Sequence, residues 1–179
     1  DKYLTLTNYF ISKGMSLKDV DSNGNTAINY AARSVNIPLI KTLLSKGVKY
    51  NDNAIIIAAQ GSRRDSNPIE VYQYLIEELK MKPTAVNSDG ETALHILAAK
   101  PKQTEIIKYL IAKGADVNKI DNEGNTVLMK AATSRDNTET LEFLLPIVKN
   151  SNAKNAKGES ALTMAVQSGS PKAVEILLN

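Results

Sequence analysis

Short blocks of apolar and small residues alternate along this chain with polar, glycine-bearing turns at a regular spacing. Four stretches share one ten-residue frame: NGNTAINYAA (residues 23–32), DGETALHILA (89–98), EGNTVLMKAA (123–132) and KGESALTMAV (157–166). Their glycines fall at positions 24, 90, 124 and 158, so the last two intervals are 34 residues and the first, 66, is twice 33. Self-similarity at such a period signals stacked repeat units, and the double interval implies a hidden copy. It lies at residues 53–59, NAIIIAA, where the apolar and small positions persist but the polar turn before them is lost.

A second apolar segment follows each frame, striped at helical spacing: Leu39, Ile40, Leu43 and Leu44; Ile106, Ile107, Leu110 and Ile111; Ala173, Val174, Leu177 and Leu178. Ser-Lys-Gly at 12–14 and 45–47 and Ala-Lys-Gly at 112–114 close three such segments. Glycine accepts the left-handed C′ conformation there, and lysine in the last turn complements the helix dipole. Thr26, Thr92, Thr126 and Ser160 precede the first helices, where a hydroxyl can serve as N-cap. Each unit therefore reads as turn, short helix, short helix. The predicted fold is an all-α solenoid of stacked helix-turn-helix units joined by extended hairpin-like turns.

These residues resemble the ankyrin-repeat family. The family's pattern Asp-x-x-Gly-x-Thr-Pro-Leu-His-x-Ala-Ala, a second helix, then Gly-Ala-Asp-Val-Asn is nearly spelled out from Asp89 to Asn118. The resemblance divides the chain into a partial repeat (1–20), repeats at 21–52, 53–86, 87–120 and 121–154, and a truncated repeat (155–179). Both ends fall inside repeat units, so a piece of a longer array is expected. Tetratricopeptide units have a similar period, but they spend less of it on an extended polar turn.

The departures are as informative. The family's proline at the first helical turn is replaced by Ala27, Ala54, Ala93, Val127 and Ala161. In the degenerate repeat 53–86 the turn is shortened, the helical part is expected to be lengthened, and residues 60–68 are expected as a loop between its helices. Repeat 121–154 has Pro146 to Lys149 where others have Lys-Gly.

Composition narrows the function. With 5% aromatics and no tryptophan, the core must be built from aliphatic and small side chains. A net charge of +3 carries no dense basic face, so nucleic acid is not an expected partner. No apolar run reaches the roughly eighteen residues a membrane span needs. Cysteine is absent, which removes disulfides and thiolate chemistry and leans toward an exported setting without deciding the compartment.

Two motifs invite a chemical reading. His95 is the only histidine, and its equivalents in the other repeats are Asn29, Ile56, Met129 and Thr163, which form no ligand or catalytic set with it. The resemblance implies that it bonds between neighbouring turns. Asp19 to Gly24 copies the opening of an EF-hand loop, but position twelve, where calcium needs a bidentate glutamate, is Tyr30. No cofactor, metal or catalytic residue is expected.

The expected function is a non-catalytic protein-interaction module, monomeric, with a protein partner. The alternative is a regulatory or targeting segment of a larger enzyme or secreted effector. The resemblance places contacts on turn tips and the exposed ends of first helices: Ser22, Asn23, Asn25, Arg33 and Ser34; Ser88, Asp89, Glu91 and Lys100; Asn122, Glu123, Asn125, Thr133 and Ser134; Lys157, Glu159, Gln167 and Ser168. Arg63 and Arg64, adjacent in the inserted loop, join them as candidates for phosphate or an acidic partner. This set is polar and small, without an aromatic anchor. Tyr72 and Tyr74 give the degenerate repeat its individuality, with Tyr74 expected in the core and Tyr72 left open.

Overall fold

The computed structural model describes residues 16–61 and 69–179, together with Thr5. The Ser-Lys-Gly at 12–14, Arg63 and Arg64, and most of the inserted segment lie outside the described residues.

Helices alternate in two sizes of task. The first helices of successive repeats are α1 (Ala27–Arg33), α3 (Asn53–Gly61), α5 (Ala93–Ala98), α7 (Val127–Ala132) and α9 (Ala161–Ser168). The second helices are α2 (Ile37–Ser45), α4 (Ile69–Gln73), α6 (Thr104–Ala112), α8 (Thr138–Leu144) and α10 (Pro171–Leu178). First helices pack on first helices, and from α4 onward second helices pack on second helices, giving two layers with a shared core between them. Ala31, Ala32, Ala58, Ala59, Ala98, Ala131, Ala132 and Ala165 are buried on the first layer, where a missing side chain lets neighbouring helices approach closely. Ile40, Leu43, Ile106, Ile107, Leu110, Leu141 and Leu144 fill the space between layers.

Two of the four expected hydroxyl caps accept a backbone N–H, while at Thr26 and Thr92 the hydroxyl donates instead to Asn29 Oδ1 and His95 Nδ1. At Thr126 and Ser160 the hydroxyl accepts the N–H of Met129 and Thr163. In all four intact repeats the third helical residue reaches back to the cap's own N–H: Asn29 Oδ1, His95 Nδ1, Met129 Sδ and Thr163 Oγ1. One position thus takes an amide, an imidazole, a thioether or a hydroxyl because each supplies a single acceptor.

The degenerate repeat departs in both helices. Its helical part is lengthened, as expected, but Gln60 and Gly61, expected in the inserted loop, instead extend the first helix to nine residues against six to eight in the intact repeats. Its second helix passes at Tyr74–Glu78 into a π-helical turn, which the sequence pattern did not indicate, where Leu79 N–H donates to the Tyr74 carbonyl. A π turn absorbs an extra residue while keeping the buried stripe in register. The tyrosine expectation is corrected here. Val71, Tyr72 and Leu75 repeat the spacing of Ile106, Ile107 and Leu110, so Tyr72 is fully buried, while Tyr74 lies at the half-exposed boundary beneath the Lys41 ammonium.

Candidate functional site: the turn tips and inner helices

Each intact repeat projects a five-residue turn that begins with Asp21, Asn87, Asp121 or Asn155. That residue's side-chain oxygen accepts the N–H groups two and four residues on, while its backbone N–H donates to the carbonyl of the fifth residue. The two carboxamide and carboxylate ends then meet as a complementary pair. Asn25 Nδ2 donates to Asp21 and Asn125 Nδ2 to Asp121, whereas Asn87 Nδ2 donates to Glu91 and Asn155 Nδ2 to Glu159. Wherever the first residue is the acid, the fifth is the amide, and the reverse.

Neighbouring tips are joined through their backbones. Asn122 N–H donates to the Asp89 carbonyl at 2.9 Å and Ala156 N–H to the Glu123 carbonyl at 2.8 Å. Gly90 sits at such a junction with φ +75°, and a Cβ there would collide with Asn122, so glycine is required both by conformation and by close approach. His95 ties a first helix to the next tip: Nδ1 accepts from Thr92, and Nε2–H donates to the Asn125 carbonyl at 3.1 Å. A carbonyl can only accept, so the Nε2–H tautomer is the one that satisfies both contacts. His95 is fully buried, and burial lowers its pKa below 6.5 despite the opposing pull of the Asn125 carbonyl and Asp121. The imidazole is therefore a neutral strut.

A third stitch joins the ends of first helices. The orphan carbonyls of one repeat accept side chains from the next: Lys100 Nζ bonds Ala59 and Gln60, Asn137 Nδ2 bonds Ala98, and Ser168 Oγ bonds Ala132. Burial lowers the Lys100 pKa in this position, and the Arg33 charge adds to the effect.

Most predicted contact residues stand exposed on this face: Ser22, Asn23, Arg33, Ser34, Ser88, Asp89, Asn122, Glu123, Thr133, Lys157 and Gln167. Glu91, Ser134 and Glu159 are half-buried. Asn25 and Asn125 are corrections, because both are buried by the turn bonds just described and cannot offer their amides to a partner. Lys100 and Ser168 are similarly engaged in stitching. Arg63 and Arg64 fall outside the described residues.

Sequence reasoning missed three features of the face. Lys130 bridges Glu91 of the preceding turn at 2.8 Å and Asp121 of its own at 2.9 Å. Burial alone would lower the Lys130 pKa and raise those of the two acids, yet the mutual bonds prevail in all three and keep the triad charged. Asn122 and Glu123 join these groups in a cleft of about 290 Å³. Secondly, the face is not wholly polar: Val20, Val86 and Ile120 recur one or two periods apart just before the tips and are strongly exposed, and Tyr30 on α1 is 44% exposed. The tyrosine's hydroxyl donates to Asp21 at 2.6 Å, so the residue in the EF-hand's glutamate position spends the carboxylate a cation would need. Among the described residues no group of three histidine, cysteine or acidic side chains is placed to hold a metal ion. Thirdly, a cavity of about 480 Å³ opens between α1, α3 and the tip of repeat 87–120.

The repeat geometry agrees with the family comparison. Profiles described as ankyrin repeats match residues 50–121 and 96–179, and a single ankyrin-repeat profile matches residues 23–52. The chain belongs to the ankyrin-repeat family. Similar relatives include neurogenic locus notch homolog protein 1 of Xenopus tropicalis, 32% identical over 87% of this chain and 6% of that protein. An L-asparaginase of Dirofilaria immitis is 30% identical over 74% of the chain and 22% of the enzyme. A transient receptor potential cation channel, subfamily A member 1, of Drosophila melanogaster is 25% identical over 83% of the chain and 13% of the channel. The chain thus spans less than a quarter of these relatives' lengths. Ankyrin repeats are generally protein-interaction modules and typically non-catalytic. Among the described residues no helix is long and apolar enough to cross a membrane.

Proposed function

We propose that this chain is a non-catalytic protein-binding module that engages its partner through the turn tips and the exposed surfaces of the first helices. The observation that carries this reading is the tip layer itself. Backbone-to-backbone bonds, the His95 strut and the buried Asx pairs hold Asp89, Asn122 and Glu123 in fixed places, so little ordering entropy is lost when they bind. Tyr30 and Arg33 supply the side-chain types that dominate hot spots, and Val20, Val86 and Ile120 supply apolar area beside them.

Charge reversal on the tips of the full-length protein (Asp89→Lys with Glu123→Lys) tests the reading. Quantitative mass spectrometry should show its co-purifying proteins lost by about tenfold or more, whereas Lys108→Glu on the exposed side of α6 should leave them in place. Tip variants that fold normally and retain every partner would overturn it. A second reading, that the chain is the regulatory or targeting segment of a larger enzyme, is favoured by the partial match to an L-asparaginase. It differs in placing the partner surface on the same polypeptide.

A further inference from the structure

The tip layer is interrupted, and the interruption has a defined chemistry. In repeats that adjoin, the second residue of a turn donates its N–H to the third residue's carbonyl in the turn before: Asn122 to Asp89, and Ala156 to Glu123. By the same repeat positions, the Asn23 carbonyl faces toward the degenerate repeat from one side and the Ser88 N–H faces it from the other. That repeat has lost its turn. Asn51 compensates only at the base, where its side-chain oxygen accepts from Asn29 and its amide donates to the Gly24 carbonyl, in place of the backbone carbonyl that His95 finds two repeats later. Between the two tips that the lost turn would have joined opens the cavity of about 480 Å³, with Asn23 and Ser88 both in its wall. No bond to the Asn23 carbonyl or from the Ser88 N–H is formed among the described residues.

The rest of the lining is suited to polypeptide. Ile56 and Ile57, almost wholly covered by neighbours, form an apolar floor, and Tyr30 and Val86, each 44% exposed, form apolar lips on opposite sides. An opening of this volume with a few convergent polar groups falls in the range of binding pockets. An acceptor on one wall and a donor on the other, both main-chain and both already used for turn-to-turn pairing elsewhere in the molecule, match the edges of another turn. This is strand addition at the scale of a single hairpin.

We infer that this gap is a docking site for an exposed hairpin turn of a partner protein, which completes the tip layer by accepting from Ser88 N–H, donating to the Asn23 carbonyl and seating an apolar side chain between Tyr30 and Val86. The inference rests on the tip-face reading of function and adds where on that face the partner's backbone enters. A polar small molecule would satisfy the walls but leave the lips uncovered.

The test uses the full chain, 15N-labelled, and a defined probe: a backbone-cyclised peptide copying Lys119–Val127, the intact turn of repeat 121–154. Titration should move the amide signals of Ser88, Tyr30 and Ile57, and the Ser88 amide should gain protection from hydrogen exchange. Ser88→Pro removes the donor at a turn position that favours proline. It should keep the melting temperature and weaken the probe about tenfold, as should Tyr30→Ala. A probe that shifts only signals around Lys157, or that binds Ser88→Pro as well as the native chain, would overturn the inference. Asp89 also lines the gap, so Glu123→Lys alone, which lies outside it, separates the two readings: partners lost there without probe binding in the gap refute the gap alone, while partners retained by both charge-reversed tips refute the wider reading.

Discussion

Within a single turn the pairing of Asp21 with Asn25, Asn87 with Glu91, Asp121 with Asn125 and Asn155 with Glu159 shows which property the fold demands of these positions. It demands one donor and one acceptor facing each other, not a particular residue. His95 obeys the same logic. Its folded-state pKa lies below 6.5 because burial penalises the charged ring, so the unfolded chain binds a proton first as pH falls. The neutral strut's contribution is whole above pH 6.5 and declines as pH drops below it. Urea unfolding at a series of pH values should show this decline in the native chain and not in His95→Asn, which copies the residue of repeat 21–52. Loss of the ring altogether, in His95→Ala, should cost about 3 kcal/mol by chemical denaturation, since two buried bonds and packing volume go together. Lys130→Ala leaves Asp121, nearly covered, without its cation. It should cost about 2 kcal/mol, between the values of exposed and fully buried pairs.

At the scale of elements, the chain's own irregularities are testable. Val35 closes α1 with φ +52°, a left-handed conformation that a β-branched residue adopts only under strain; the matching position after α9 is Gly169, at φ +67°. Val35→Asn should raise stability by about 1 kcal/mol, read as a higher denaturation midpoint with unchanged slope. Gly61 ends α3 where a Cβ would press on the backbone of Arg33, so Gly61→Ala should destabilise by about 2 kcal/mol in the same assay. The cap positions, the second-helix stripes and the lengthened helical part of the degenerate repeat were legible in the sequence because each follows from local chemistry at a fixed offset, whereas the extension of α3 through Gln60 and Gly61 was not. The π turn at Tyr74–Glu78 was not, since an inserted residue inside an apolar stripe looks the same whether it bulges or slips. The placement of Tyr74 and the open question of Tyr72 are resolved by one alignment: laid over Tyr109 and Ile107, they take the boundary and the buried positions respectively.

Across the whole molecule, the sequence exposed the array because its period is written in glycines and hydroxyl caps. The contact face was legible only in part. Repetition identified the turn tips, but it could not separate Asn25 and Asn125, which turn inward to brace their loops, from Asn23 and Asn122, which stay exposed. Nor could it reveal that Lys130 and Lys100 act across repeat boundaries, because those partners lie 39 to 41 residues apart. The lost turn was visible as a missing motif, whereas its consequence, an open gap lined by Tyr30 and Val86, required three dimensions.

The central claim is that recognition belongs to the tips and first helices. Site-specific photo-crosslinking in cells of the source organism tests it most directly, with a photoreactive residue placed in turn at Asn23, Asn122, Lys108 and Glu142 of the full-length protein. The account predicts covalent adducts to a common partner from Asn23 and Asn122 and none from Lys108 or Glu142, both on second helices. Adducts formed from the second-helix positions alone would contradict it.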